Sequence, residues 1–492
     1  MRRIVMPVLL LALALASLIG ANYLNGQLQE DLGEVADDDT VPPSVGTPLV
    51  STRRLTAMLA PPLTEPGFFN ALDEMMASAP PSACLSVTLG KNAYYESNAN
   101  IAVMPADAVL LLTLAAAHKE LGPDHTFITS VQSVVSLEDG VVNGDIYLVG
   151  GGDPLLLTRE FAATLGEGEN RLRTPIEDLA QDLVDGGLAL VTGAVVGDAA
   201  RYDDLLYVGS WPETMIRAEN LGTLQALQFD DGWVEFPSTA PAEEEGDAGR
   251  EAPEETADEQ LAAEDPPFYA AALFDDMLEA EDVVIRRSPR SEGFPADEEA
   301  FVLASIESAP LSAYYRQILD NRDAETAELL LKEIGLATSG TGSTRAGTRA
   351  VQTVLAGVGV DEEFQFLQFD GSGRDPANVA TCPLFTALLD SEEFSPFFHD
   401  LLPTAAEAAP SRVDDPERLK VLSGGASNTA VTLGYVDIGL GQELTFAFIA
   451  NQPDPAGSPA LLELAERILS HLATLEAKPS LDDIQLEEIR AR

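Results

Sequence analysis

From Ile4 to Ala21 the chain is apolar apart from Pro7, Ser17 and Gly20, and Arg2 and Arg3 stand directly before it. A charged pair ahead of such a run predicts a signal peptide or N-terminal membrane anchor over residues 1–21, with the body extracytoplasmic. Residues 22–48 turn polar and acidic, with Asp37, Asp38 and Asp39 in a row, and read as a linker. Periodic patterns begin afterwards. GFFNALDEMMAS has helical spacing, and ACLSVTLGKNAYYESNANIAV predicts two strands about a turn at Gly90-Lys91-Asn92. A helix follows from Pro105, with Leu110, Leu111, Leu114 and Ala117 on one face and a stop at Gly122.

Between residues 129 and 300 short alternating stretches, Gly-rich turns and amphipathic segments take over. Residues 238–267 form a separate object: eleven acidic residues and only Arg250 as a base lie between Glu243 and Asp265, which predicts a solvated, disordered loop. From 301 to 477 the chain is helix-rich. LSAYYRQILDNRDAETAELLLKEIG predicts one or two helices ending at Gly335. VTLGYVDIGLGQELTFAFIAN predicts two antiparallel strands, and SPALLELAERILSHLATLE a closing helix. The sum is an α/β (α+β) module formed by 49–128 and 301–477, split by a β-rich inserted domain over 129–300, with a tail at 478–492.

Charge narrows the function. Against 81 acidic residues stand 28 basic ones, a formal charge of −53. Phosphate contacts need clustered Lys and Arg, so nucleic-acid binding is excluded. Lysine occurs only at 91, 119, 332, 420 and 478. An acid-rich, lysine-poor surface fits a saline habitat or a lineage-wide bias in composition. His118, His125, His399 and His471 show no His-Glu-x-x-His or His-x-His spacing, so no metal site or cofactor is expected. His118 is assigned to the polar side of its helix. Asp145, Asp153 and Asp198, each beside Gly or Pro, read as turn and cap residues. Cys84 and Cys382 suggest one disulfide in an oxidising compartment, with two buried free thiols as the alternative. Such a bridge would contribute about 4 kcal/mol or more in the chain-entropy model.

The segment IAVMPADAVLLLTLAAAHKELGPDHTFIT (Ile101 to Thr129) resembles the opening helix of the penicillin-binding D-alanyl-D-alanine carboxypeptidase/endopeptidase family. GDIYLVGGGDPLL (Gly144 to Leu156), TGAVVGDAARYDD (Thr192 to Asp204), ASIESAPLSAYYRQIL (Ala304 to Leu319), AELLLKEIG (Ala327 to Gly335) and DGSG (Asp370 to Gly373) resemble further family blocks, in order and spacing. The resemblance implies a penicillin-binding/β-lactamase-like transpeptidase module, an antiparallel sheet between helices with a β-rich insertion, and a peptidoglycan substrate. It also implies three catalytic signatures, and each is replaced. Where the family has Ser-x-x-Lys, this chain has Asp107 and Leu110. Where it has Ser-x-Asn, this chain reads Arg322-Asp323-Ala324, and Gly424-Gly425 or Ser423-Gly424 stands for Lys-Thr.

A nucleophile and its base must share one helical face at i and i+3, and no lysine in the chain has Ser three positions earlier. The expectation is a catalytically inactive, carboxypeptidase-like protein that binds peptidoglycan stem peptides or a cell-wall enzyme and reaches the membrane through its N-terminal segment. The alternatives are an active carboxypeptidase/endopeptidase with a non-standard site and a structural surface protein.

Overall fold

A computed structural model of the chain describes residues 61–164, 172–218, 221–235, 261–359, 366–408, 415–425, 428–453 and 458–476. The predicted signal or anchor, the linker, the tail and most of the acidic loop lie outside the described residues. Among the described residues no helix is long and apolar enough to cross a membrane.

The first sheet has five antiparallel strands in the order β8-β9-β10-β1-β2. They are β1 (Ala83–Leu89), β2 (Asn92–Ser97), β8 (Leu419–Gly424), β9 (Thr429–Gly439) and β10 (Gln442–Asn451). Side chains alternate across a strand, and here both faces are apolar. On one face Cys84, Leu422, Leu433, Tyr435, Ala447 and Ile449 join a core with helices α2 (Val109–Glu120), α5 (Leu311–Asn321), α6 (Ala324–Ser339), α7 (Thr344–Gly357) and α8 (Cys382–Leu389). On the other, Leu85, Val87, Val421, Val436, Phe446 and Phe448 pack with α1 (Pro61–Ala77) and α9 (Ser458–Leu472). A sheet covered on both sides explains why TAVTLGYVDIG reads as a nearly continuous apolar run. Cys84 on β1 is bonded to Cys382 at the start of α8, with Cα atoms 5.8 Å apart, so the free-thiol alternative falls away.

Three expectations about elements change. The helix α2 is not one-sided: every residue from Val109 to Ala117 is buried, because α6 and α7 both pack on it. The helix after Asp323 does not stop at Gly335 but runs on to Ser339, ending at Gly340 with φ +72°. Gly335 instead permits close crossing of α7, since a Cβ there would stand 2.7 Å from the Gly347 amide and 2.8 Å from the Ala346 Cβ. His118 does not occupy a polar face; it stacks on Phe397 with centroids 4.2 Å apart, and burial lowers its pKa.

The insert has its own five-stranded sheet, ordered β6-β5-β4-β3-β7: β3 (Ile128–Ser133), β4 (Ile146–Val149), β5 (Val195–Asp198), β6 (Arg290–Ser291) and β7 (Phe301–Glu307). Because β7 pairs with β3 from Phe301↔Ser133 to Glu307↔Ile128, the insert ends at Glu307 and not at residue 300. Helices α3 (Ile176–Asp185) and α4 (Pro266–Ala280) cover it, burying Leu179, Leu183, Phe274 and Leu278 against Val131, Ile146 and Leu148. The last residues of the predicted acidic loop are ordered: Leu261–Ala262 pair with Trp233–Glu235, and Asp265 caps α4 by accepting from the Phe268 amide at 3.1 Å.

Candidate functional site

Three chain ends meet at one point: the turn before α2, the last residue after α5, and the end of β8. The turn is a single 3-10 turn, Ala106–Ala108, whose first residue has φ +44°. An alanine pays about 1 kcal/mol or more to be left-handed, so the surroundings must impose it. The Asp370-Gly371-Ser372-Gly373 loop does so. Gly373, at φ +84°, lies so close that any Cβ would collide with the Ala106 carbonyl. That loop is fastened from within. Asp370 accepts from Trp211 Nε1 at 2.9 Å, the Gly373 amide at 3.0 Å and Asn378 Nδ2 at 2.7 Å. Glu328 accepts from the amides of Gly371 and Ser372 at 2.8 Å, and burial drives its carboxyl well above the ordinary range. Asp370 and Glu328 lie inside the quoted blocks DGSG and AELLLKEIG, but their fastening of the loop gave no signal in the sequence.

Asp107 follows Ala106, with a side chain only 4% exposed. Its Oδ2 accepts from Arg322 Nε at 2.8 Å and from the Gly425 amide at 2.9 Å. Arg322 closes α5 in the left-handed conformation, φ +51°, which turns its side chain back across the groove. Its Nη2 donates to the Ser423 carbonyl on β8 at 2.5 Å. Gly424 leaves the room for this: a Cβ there would strike Asp107 Oδ2 and the Arg322 guanidinium.

The structure therefore brings together Asp107, Arg322, Gly424 and Gly425. Leu110 lies one turn along α2, 1% exposed, in the apolar core. Ala324 does not line the groove; it packs toward the insert with Tyr202, Val208 and Trp211. Asp323 caps α6, accepting from the Thr326 amide at 2.9 Å and the Thr326 hydroxyl at 2.8 Å. Among the described residues no trio of metal-donor side chains converges at Asp107. Asp145 accepts from the Ala194 amide and Arg290, Asp153 from the Leu155 amide, and Asp198 from the Ala200 and Phe294 amides, each in a turn or between strands.

Beside the ion pair a groove of about 340 Å³ runs between α5 and β8, whose outer edge is held at Val421 by the Pro403 carbonyl and at Ser423 by Arg322. Arg316, Asp320 and Glu407 give it both charge signs, and Leu319, Pro403 and Leu422 its apolar wall.

The model of the D-Ala-D-Ala carboxypeptidase 3 (S13) family matches residues 72–256 and 248–470. The chain belongs to this family. It is 27% identical over 441 residues to a D-alanyl-D-alanine carboxypeptidase of Actinomadura sp. (strain R39), covering 77% of this chain and 78% of that protein. It is 26% identical over 445 residues to carboxypeptidase DacB of Mycolicibacterium smegmatis, covering 87% of each. The fold matches penicillin binding protein 4 of Haemophilus influenzae with a TM-score of 0.65 at 16% identity, over 82% of this chain and 99% of that one. This S13-family chain builds its first sheet from segments on either side of the insert and has an ion pair at the turn where its family resemblance places a serine.

Proposed function

We propose that this S13-family chain is a non-catalytic, D-Ala-D-Ala carboxypeptidase-like protein of the cell wall, held outside the cytoplasmic membrane, which works by binding peptidoglycan stem peptides or a cell-wall enzyme. The observation that carries the reading is the Asp107–Arg322 ion pair, sealed by the Gly425 amide. Acyl transfer needs a hydroxyl to form an ester and a neighbouring base to take its proton. Asp107 has no hydroxyl, and its attack on an amide would give a mixed anhydride, much less stable than the bond it replaced. At the position one turn on, Leu110 accepts no proton. Hydrolases that lose triad members keep roughly 10³–10⁴-fold catalysis through the oxyanion hole and binding. The Gly425 amide, which donates to Asp107, is not free to donate to a substrate oxygen.

The groove beside the pair supports the binding half of the proposal. A stem peptide carries a carboxylate and apolar methyl groups, matching the mixed charges and apolar wall of the groove. Incubation of the purified full-length protein with fluorescent penicillin is expected to give no covalent adduct, and a stable adduct overturns the assignment of inactivity. Sedimentation with purified sacculi is expected to carry the protein down. Soluble protein throughout would eliminate the stem peptide as ligand and leave the enzyme partner.

A further inference from the structure

We propose that the C-terminal half of α4, on the insert and remote in sequence from the Asp107 turn, is a binding site for one hard divalent cation of the calcium type, held by Asp275, Asp276 and Glu279. One carboxylate oxygen from each lies within 4.8 Å of the others, close enough to share a single ion. Residues i and i+4 stand above one another on a helix, which is how Asp275 and Glu279 meet; Asp276 closes the third side.

The cluster is distinguished from ordinary surface acidity by Asp275. This residue is only 9% exposed, and its Oδ1 is buried without a hydrogen-bond partner. Asp276 and Glu279, both exposed, stand beside it with the same sign of charge. No described basic group forms an ion pair with any of the three.

The helix itself adds a second reason. The carbonyl end of an α-helix is electronegative and favours cations. The last turn of α4 carries no basic residue, and Glu281 and Asp282 follow directly. Three carboxylates at a helix C-terminus are thus doubly unfavourable unless a cation faces them. Oxygen-only donors select hard ions, and calcium tolerates an irregular set completed by water.

The test uses the full-length protein stripped with a chelator, in high sodium chloride so that diffuse binding to the acidic surface is screened. Calcium binding is followed by equilibrium dialysis and thermal unfolding. Wild type is expected to retain one salt-resistant equivalent of calcium and to gain in Tm over a sodium control of equal ionic strength. Asp275→Asn is expected to lose that equivalent and the calcium-specific gain. The doubly exposed variant Asp276→Asn/Glu279→Gln, which leaves the packed face of α4 untouched, is expected to lose both as well. Retention of the equivalent in either variant overturns the assignment, as does its absence in wild type.

Discussion

A half-exposed arginine and a buried aspartate do not share their ion pair equally. Asp107 has lost its water, whereas 37% of the Arg322 side chain remains solvated. Removing the arginine strands a charge inside the protein; removing the aspartate leaves a guanidinium that water can reach. Breaking a fully buried pair costs about 3–5 kcal/mol, and the exposure of Arg322 calls for a smaller figure. Arg322→Ala is therefore expected to destabilise by about 2 kcal/mol, and Asp107→Ala by about half as much. Urea unfolding of the two variants checks the order. Equal losses, or a larger loss for Asp107→Ala, would mean that the Gly425 amide and not Arg322 supplies most of the compensation. The same geometry explains Gly424. Any larger residue in its place would drive its Cβ into the pair.

Helix α6 organises the site from behind, through charges whose partners no pattern announced. Glu325, Glu328 and Lys332 recur at i, i+3 and i+7 on one face, with Glu333 beside them. Glu325 accepts from the Gly222 amide at 2.7 Å, and Glu333 takes a bidentate contact from Arg201 at 2.9 and 2.5 Å. Lys332, 1% exposed, donates to Asp203 at 2.8 Å and to the carbonyls of Leu205 and Leu224 at 3.0 and 2.7 Å. Lys332→Met is expected to cost about 3 kcal/mol, as for breaking other buried ionic contacts. Its signature is local: amide exchange should accelerate across 203–224 while β1 and β10 stay protected. Uniform acceleration would instead mean that α6 and the insert unfold as one unit. The sheet strands were legible in the sequence because two-sided burial writes long apolar runs such as TFAFIAN. Positions 107, 110, 322 and 324 are singled out through the family resemblance of the blocks around them, and the fold brings only Asp107 and Arg322 together, with Leu110 in the core and Ala324 against the insert. The pairing of Asp107 with Arg322 was not legible, since the two lie 215 positions apart and only the fold joins them. Gly335 misled for a related reason: a helix stop and a helix crossing both select glycine, and sequence alone does not distinguish them.

At the scale of the whole molecule, buried acids set how stability responds to pH. Asp153 and Asp230 are each pushed from an ordinary 3.8 to about 6, foremost by burial. Glu443 rises to about 7, through burial and then the charges of Asp437 and Asp390. Each folded value lies above its unfolded one, so the native state holds more protons than the unfolded chain across the interval between them. The stability these groups contribute is complete below the unfolded values and is lost as pH rises through the folded ones. Asp145 runs the other way: Arg290 and the Ala194 amide outweigh burial and lower it, so its contribution is already constant above its unfolded value. Between about pH 4.5 and 7 the raised acids therefore dominate, and the unfolding free energy is expected to fall, with Asp153 alone accounting for up to about 2 kcal/mol. Repulsion within a chain of formal charge −53 would slope the same way. Salt separates the two. At about 1 M the Debye length is roughly 3 Å, which screens surface charges and leaves a buried carboxyl unaffected. Urea midpoints measured across this interval in high salt should still decline in wild type. In Asp153→Asn the decline should be shallower, because the amide can keep the Leu155 contact without ionising. A wild-type profile that becomes flat in salt would assign the whole dependence to surface charge.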